Sequence, residues 1–361
     1  MPQPPDLASL TADAIELLKG LIRIQSFSGE EQGTAALITQ RFEAWGLKPL
    51  RDGNNVWAIN KHFDPAKPTL LLNSHHDTVR PNASYTRDPY SPDIVEGKLY
   101  GLGSNDAGGA LVSLMATFRQ FYERTDLSHN LVIAATAEEE NSGFNGLERV
   151  VPQLPPIAWA LVGEPTLMQL AIAERGLMVL DCTAVGRAGH AAREEGDNAL
   201  YRAVDDIAWF RSYAYPKVST LLGPVKQTVT VIEAGRLHNV VPDRCTFTVD
   251  VRLNELYTHD EVLGIIRANV RSEVVPRSTR LKSSSIPVDH PIVKQGLALG
   301  RTTYGSPTCS DQAILRVPSL KVGPGDSARS HTADEFIYVS ELEEAVQLYI
   351  ALLTPVITTR A

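Results

Sequence analysis

Cysteine is scarce in this chain. Cys182, Cys245 and Cys309 are spread over 361 residues with no C-x-x-C pair. An odd, sparse set offers no disulfide framework and no thiolate zinc ribbon, and it fits a reducing compartment. No apolar run approaches the roughly 18 residues of a membrane span. The start, MPQPPDLASL, lacks the basic and apolar regions of a signal peptide. A cytoplasmic protein without a membrane partner is therefore expected. Lys/Arg blocks are missing too, and the formal net charge of −8 argues against a nucleic-acid partner. Neither G-x-G-x-x-G nor a P-loop follows the first predicted strand, which excludes a nucleotide-binding α/β protein.

Apolar residues at 43% and charged residues at 21% are ordinary for a globular protein. At this length two domains are expected rather than one. Residues 1–9 read as a loose, Pro-rich start. Helices are predicted at Leu10–Ile24, with Thr11 as N-cap, and at Thr34–Trp45, with Gly46 ending the second. Strands are predicted at Asn55–Asn60, Thr69–Ser74, Asn130–Thr136 and Ala158–Gly163, with helices at Gly108–Tyr122 and Gly146–Leu154. Strands alternating with helices argue for an α/β sheet covered on both faces.

The pattern changes near residue 168. A long strand region at Gln169–Val185, a helix at Asn198–Tyr213, strands at Thr228–Glu233 and Thr246–Leu253, a helix at Asp260–Val270 and a last strand at Thr279–Ser283 make β-α-β-β-α-β. That order is ferredoxin-like. After Pro287 the first pattern resumes: a helix at Pro291–Tyr304, a strand at Ser319–Val322 and a helix at Ser340–Leu353. The expected organisation is a domain of residues 1–167 and 287–361, with a mixed, mainly parallel sheet, and a second α+β domain of residues 168–286 inserted into it.

Thr69–Arg80, TLLLNSHHDTVR, begins as a buried strand and ends in His75-His76-Asp77. The carboxyl ends of strands are where open α/β sheets place ligand sites. His75 and Asp77, two apart, share a side of an extended chain. An imidazole can hold a metal through one nitrogen while a carboxylate orients the other. Asp106 in GSNDAGG, Glu139 and Glu140 in TAEEE, Glu164 in VGEPT and His331 in GPGDSARSHTADE have similar settings. Three consecutive glutamates repel one another unless cations neutralise them. A mixed imidazole and carboxylate set suits Zn²⁺, and also Co²⁺ or Mn²⁺.

These motifs, in this order and over nearly the whole chain, resemble the zinc amidohydrolase and peptidase superfamily that includes acetylornithine deacetylase, succinyl-diaminopimelate desuccinylase, aminoacylase and glutamate carboxypeptidase. S-H-H-D-T-V is similar to its H-x-D strand end, G-L-G-S-N-D-A-G-G to its G-x-G-x-x-D-x-K-G segment, and T-A-E-E-E to its T-x-D-E-E. V-G-E-P-T is similar to its G-E-P-T, and H-T-A-D-E to its C-terminal His motif. The resemblance implies two divalent metal ions: His75, Asp106 and Glu164 on one, and Asp106, Glu140 and His331 on the other, with Asp106 as the bridge. It implies Glu139 as general base, Asp77 as the residue orienting His75, and a cis peptide at Asp106–Ala107. Ala107-Gly108 departs from the usual hydrophobic-Lys pair, and Glu138 stands where Asp is common.

In the insertion, G-R-A-G-H-A-A resembles the family's Gly-His turn, which makes His190 an oxyanion donor. Asn239 and Arg252 match substrate-binding positions. The resemblance also implies that the insertion is a lid and dimerisation domain, and hence a homodimer. Within the superfamily the chain looks most like the acetylornithine and acetylcitrulline deacetylases, which points to a small N-acyl amino acid substrate and arginine biosynthesis. The alternatives are desuccinylation or lysine-pathway deacylation of an N-acyl diamino acid, and dipeptide or C-terminal peptide hydrolysis.

Overall fold

The computed structural model describes residues 5–193 and 195–359. The chain divides into two compact units: one of residues up to Ile172, Ile286–Tyr304 and everything from Ser310, the other of Ala173–Ser285 with Gly305–Cys309.

The first unit is built on a mixed sheet. Four strands run parallel at its centre, in the order Asn130–Thr136, Thr69–His75, Ile157–Val162, Ser319–Lys321. Antiparallel neighbours flank them: Asn55–Ile59 and Leu50–Asp52 on one side, Leu170–Glu174 on the other. The central strands are buried on both faces, which explains their unbroken apolar runs. Alternation along Leu70-Leu71-Leu72 sends Leu70 and Leu72 into one core and Leu71 into the opposite one. The first core is closed by helices Leu7–Ile22, Gln32–Ala44, Gly109–Phe121, Pro291–Ala298 and Val339–Ile357. The second is closed by the short helix Leu147–Val150 and the turns around it.

The second unit is an antiparallel sheet in the order Lys226–Ala234, Arg244–Leu253, Gly176–Val185, Glu273–Pro276. Helices Ala199–Ser212 and His259–Asn269 pack on one face. Taken in chain order the strands sit two-three-one-four, the ferredoxin-like arrangement. Cys245, Phe247, Val249, Val251 and Leu253 supply its core from alternate positions of one strand.

Several boundaries differ from the sequence reading. Of the expected loose start, residues 1–4 lie outside the described residues, and Leu7 is already helical because Asp6 caps the helix by accepting Ser9 N–H at 2.7 Å. Thr11 is buried inside that helix rather than capping it. The strand region at Gln169–Val185 is two strands parted at Arg175. The fourth strand of the insertion's sheet is Glu273–Pro276, not Thr279–Ser283, and the short strand Ser284–Ser285 after it pairs with Leu170–Glu174. Val274 is the residue that reaches the insert's core, whereas Thr279–Ser283 offers a single apolar side chain, Leu281. The helix from Pro291 stops at Ala298 instead of Tyr304. Gly300, at φ +78°, and Arg301 close a Schellman motif by donating to Leu297 and Gly296.

Candidate metal centre

Strand register brings the acidic and imidazole groups together. His75 lies level with Thr136 on the neighbouring parallel strand, and Asn73 with Val162 on the other. Three strands therefore end side by side, and the chain turns out of each into the crevice beyond their carboxyl ends. His75 ends the first strand, Glu139 and Glu140 follow the second, and Glu164 follows the third. Asp106 comes from the turn Ser104–Gly108 ahead of the buried helix Gly109–Phe121, and its peptide to Ala107 is cis. His331 comes from the loop after Ser327–Arg329 and holds a left-handed backbone at φ +59°.

The two oxygens of Asp106 face different imidazoles. Oδ1 lies 3.4 Å from His75 Nε2, and Oδ2 lies 3.8 Å from His331 Nε2. Glu164 Oε1 stands 3.9 Å from His75 Nε2, and Glu140 Oε2 stands 3.0 Å from His331 Nε2. Donor atoms of His75, Asp106 and Glu140 lie within 4.8 Å of one another, as do those of His75, Glu139 and Glu164. Glu139 is thus close enough to His75 and Glu164 to be a ligand as well as a base.

Side chains fix the acidic turn from below. Four consecutive backbone N–H groups are accepted: Ala137 by Asn55 Oδ1, Glu138 by Glu31 Oε1, Glu139 by Asp77 Oδ1 and Glu140 by Asp77 Oδ2. Asp77 also accepts from Ser28 Oγ at 2.7 Å. It also faces His75. The hydrogen-bond partner of His75 Nδ1, at 3.0 Å, is the Asp77 backbone carbonyl, and the carboxylate oxygen is farther, at 3.4 Å. Each carboxylate oxygen accepts one N–H of the turn, and Asp77 faces His75 with its main-chain carbonyl and its carboxylate together. Glu138 does not join the cluster. At φ +55° it turns away and accepts from Asn145, so the three glutamates do not share one space.

The electrostatics match a cation pocket. Burial, reinforced by Asp106 and Glu140, pushes Glu164 up to about 8, against the pull of His75. Burial likewise pushes Glu139 well above the carboxylate range, with Glu164, Asp311 and Glu140 adding to the rise. Burial also favours the neutral form of Asp106, but the hydrogen bond and charge of His75, together with Ser330 and His331, outweigh it and hold that carboxyl below its usual value. Donation from His331 to the Glu140 carboxylate lifts that imidazole to about 9. Carboxylates that resist ionisation beside one another are relieved by a divalent cation. Oxygen and imidazole donors are the ones Zn²⁺, Co²⁺ or Mn²⁺ takes.

Comparison with known proteins decides the family. The model of Peptidase family M20/M25/M40 matches residues 71–354. The chain belongs to this family. As an M20-type protein it is a metal-dependent hydrolase of amide bonds. It is similar to succinyl-diaminopimelate desuccinylase 2 of Ruegeria sp., 24% identical, covering 96% of this chain and 95% of that one. It is 26% identical to the succinyl-diaminopimelate desuccinylase of Stenotrophomonas maltophilia, covering 94% and 98%. Among solved structures, a tripeptidase from Staphylococcus aureus matches with TM-score 0.77 at 18% identity, covering 98% and 99%. A dinuclear metal-binding peptidase of the M20 family from Bacillus subtilis matches with TM-score 0.70 at 14% identity, covering 96% and 98%.

The remaining predicted residues of this M20-family chain lie in the second unit. Exposed His190 pairs with Val240 in a two-stranded ladder, and Asn239 O accepts the Ala191 N–H. The sequence-distant His190 and Asn239 are therefore neighbours. His190 Nδ1 accepts from Ala192 N–H at 3.1 Å, which leaves the proton of the neutral ring on Nε2. Arg252 has a partner on its own strand. Its Nε and Nη2 form a two-pronged pair with Asp250 at 2.8 and 3.0 Å, so this edge of the guanidinium is occupied by a neighbour on the same strand.

Three buried carboxylates were missed in the sequence. Glu31 and Glu335 bind backbone N–H groups beneath the site. Asp311 accepts from Thr136 Oγ1 at 2.8 Å and is pushed up to about 6 by burial. Glu335 stands within H-T-A-D-E. Glu31 is the second of an acid pair in a polar turn and Asp311 a lone acid, with no signal to single them out.

Proposed function

We propose that this chain hydrolyses the N-acyl amide of a small amino acid at a two-cation centre, with an N-succinyl diamino acid of the diaminopimelate type as substrate. The observation that carries the centre is the pair of Asp106 oxygens facing His75 and His331. A carboxylate so placed could serve two ions at once. His75, Asp106 and Glu164 would hold one, and Asp106, Glu140 and His331 the other. Bound there, such ions supply Lewis-acid polarisation of the scissile carbonyl and lower the pKa of water.

The chain's own groups do the rest. Glu139, raised by burial and by its acidic neighbours, takes the proton from the attacking water and passes it to the leaving amine. Asp77 holds the Glu139 and Glu140 backbone at the angle this requires. His190, with its proton on Nε2, is suited to donate to the oxyanion of the tetrahedral intermediate. Asn239 and Arg252 are assigned to the polar end of the substrate. Arg252 does this with the donors that Asp250 leaves over.

The names of the relatives favour desuccinylation over the acetylornithine deacetylation, in arginine biosynthesis, expected from the motifs. A cytoplasmic setting fits the buried thiols of Cys182 and Cys245. No described helix is long and apolar enough to cross a membrane. We assign homodimer formation to the second unit, whose edge strand Lys226–Ala234 exposes Val231 and Ile232. A panel of N-succinyl and N-acetyl derivatives of diaminopimelate, ornithine, citrulline and lysine tests the substrate. N-succinyl-diaminopimelate should give the highest kcat/KM, and a preference for an N-acetyl compound would overturn the succinyl assignment.

A further inference from the structure

Glu335 is 2% exposed and lies four residues beyond His331, yet its side chain serves the turn of Asp106. Oε1 accepts the backbone N–H of Asn105 at 2.8 Å and of Asp106 at 2.9 Å, and Oε2 accepts that of Gly103 at 3.0 Å. Its backbone carbonyl takes a fourth, from Gly101, at 2.9 Å. The other end of the His331 loop is tied to the same turn. Fully buried Asn105 exchanges hydrogen bonds with both backbone groups of Asp326 at 3.0 Å and donates to Ser330 Oγ at 3.3 Å. Residues 326–335 are thus fastened on both sides of His331 to the residues flanking Asp106. His331 is held in a backbone conformation that non-glycine residues rarely adopt.

A loop anchor alone does not call for this residue. A buried carboxylate beside Asp106 adds like charge where acids already crowd, and a neutral side chain would anchor the loop without that repulsion. What Glu335 provides is acceptors for three N–H groups converging from one turn. We propose that Glu335 is a positioning residue for the cation centre: by gripping the turn of Asp106 from the loop of His331, it sets the spacing of those two groups before any cation binds. This rests on the reading that Asp106 and His331 hold the same ion.

The test strips wild type, Glu335→Gln, Glu335→Asp and Asp106→Ala of metal, checks each fold by circular dichroism, and titrates with Zn²⁺ in a calorimeter. Glu335→Gln alters charge and one acceptor, whereas Glu335→Asp keeps the charge and withdraws both oxygens. Both should bind zinc about 10–100-fold more weakly, the usual cost of losing a group that orients a ligand, and Glu335→Gln should be no less stable to heat when metal-free. Wild-type zinc affinity in both variants would overturn the proposal. So would wild-type affinity in Glu335→Asp alone, because charge and not position would then be the cause. Undiminished zinc binding by Asp106→Ala would overturn the underlying reading together with the proposal.

Discussion

Asp77 grips the backbone of Glu139: Oδ1 accepts its N–H at 3.0 Å, while Oδ2 takes the next one, from Glu140, at 3.1 Å. A buried carboxylate thus fixes the main chain of the residue proposed as the base. Glu139→Gln keeps the size and removes the basicity. Turnover should fall by roughly 10²–10⁴-fold with metal content unchanged. Loss of metal along with activity would place Glu139 among the ligands, as its closeness to His75 and Glu164 also permits.

Asp77→Asn replaces one acceptor oxygen with an NH₂ group that faces a backbone N–H. The acidic turn should loosen, with metal affinity or kcat falling about 10–100-fold. Equilibrium dialysis against zinc and steady-state kinetics check this. Wild-type values in both would reduce Asp77 to a core residue.

His76 gives the protein a defined acid sensitivity. Burial drives its pKa down to about 4, against a usual 6.5. It sits neutral between Thr34 Oγ1 and the Asn54 carbonyl, at 2.9 and 3.0 Å. The unfolded chain therefore binds this proton more readily than the folded one. The stability involved is fully present above pH 6.5 and is lost as pH falls towards 4, by about 3 kcal/mol at most, since one pKa unit is about 1.4 kcal/mol. Urea midpoints of wild type and His76→Gln, compared from pH 7 to pH 4, should converge on acidification. A constant gap would contradict the buried neutral state.

The strand ends were legible because three wholly apolar runs each break into acids or histidine, and only buried parallel strands need such runs. Asp106 and His331 were marked locally only by Gly-rich segments, and motif order joined them to the strand ends. The second duty of Asp77 was not legible: spacing put it on the side of His75 but gave no hint of its grip on the backbone of Glu139 and Glu140. Glu31 and Glu335 act through backbone N–H groups, and Asp311 through the Thr136 hydroxyl, all brought close by the fold, so no periodicity betrays them. The fourth strand of the insertion was misplaced because Glu273–Pro276 shows only one inward apolar residue.

If the second unit pairs two chains and His190 acts on its partner's site, two inactive variants should complement. Equal mixing of His190→Ala and Glu139→Ala, with subunit exchange shown by mass spectrometry, should restore roughly a quarter of wild-type activity in a two-fold dimer. Exchange without recovery would confine His190 to its own chain, and a monomeric mass in solution would end the assignment sooner.

The central claim is that Asp106 joins two cations needed for amide hydrolysis. Its most direct test titrates chelated, inactive protein with Zn²⁺ while following both bound metal and hydrolysis of N-succinyl-diaminopimelate. Activity should return in step with metal and level off at about two ions per chain, as a two-metal site requires, and Asp106→Ala should recover neither. Full activity without metal, or in Asp106→Ala, would contradict the account.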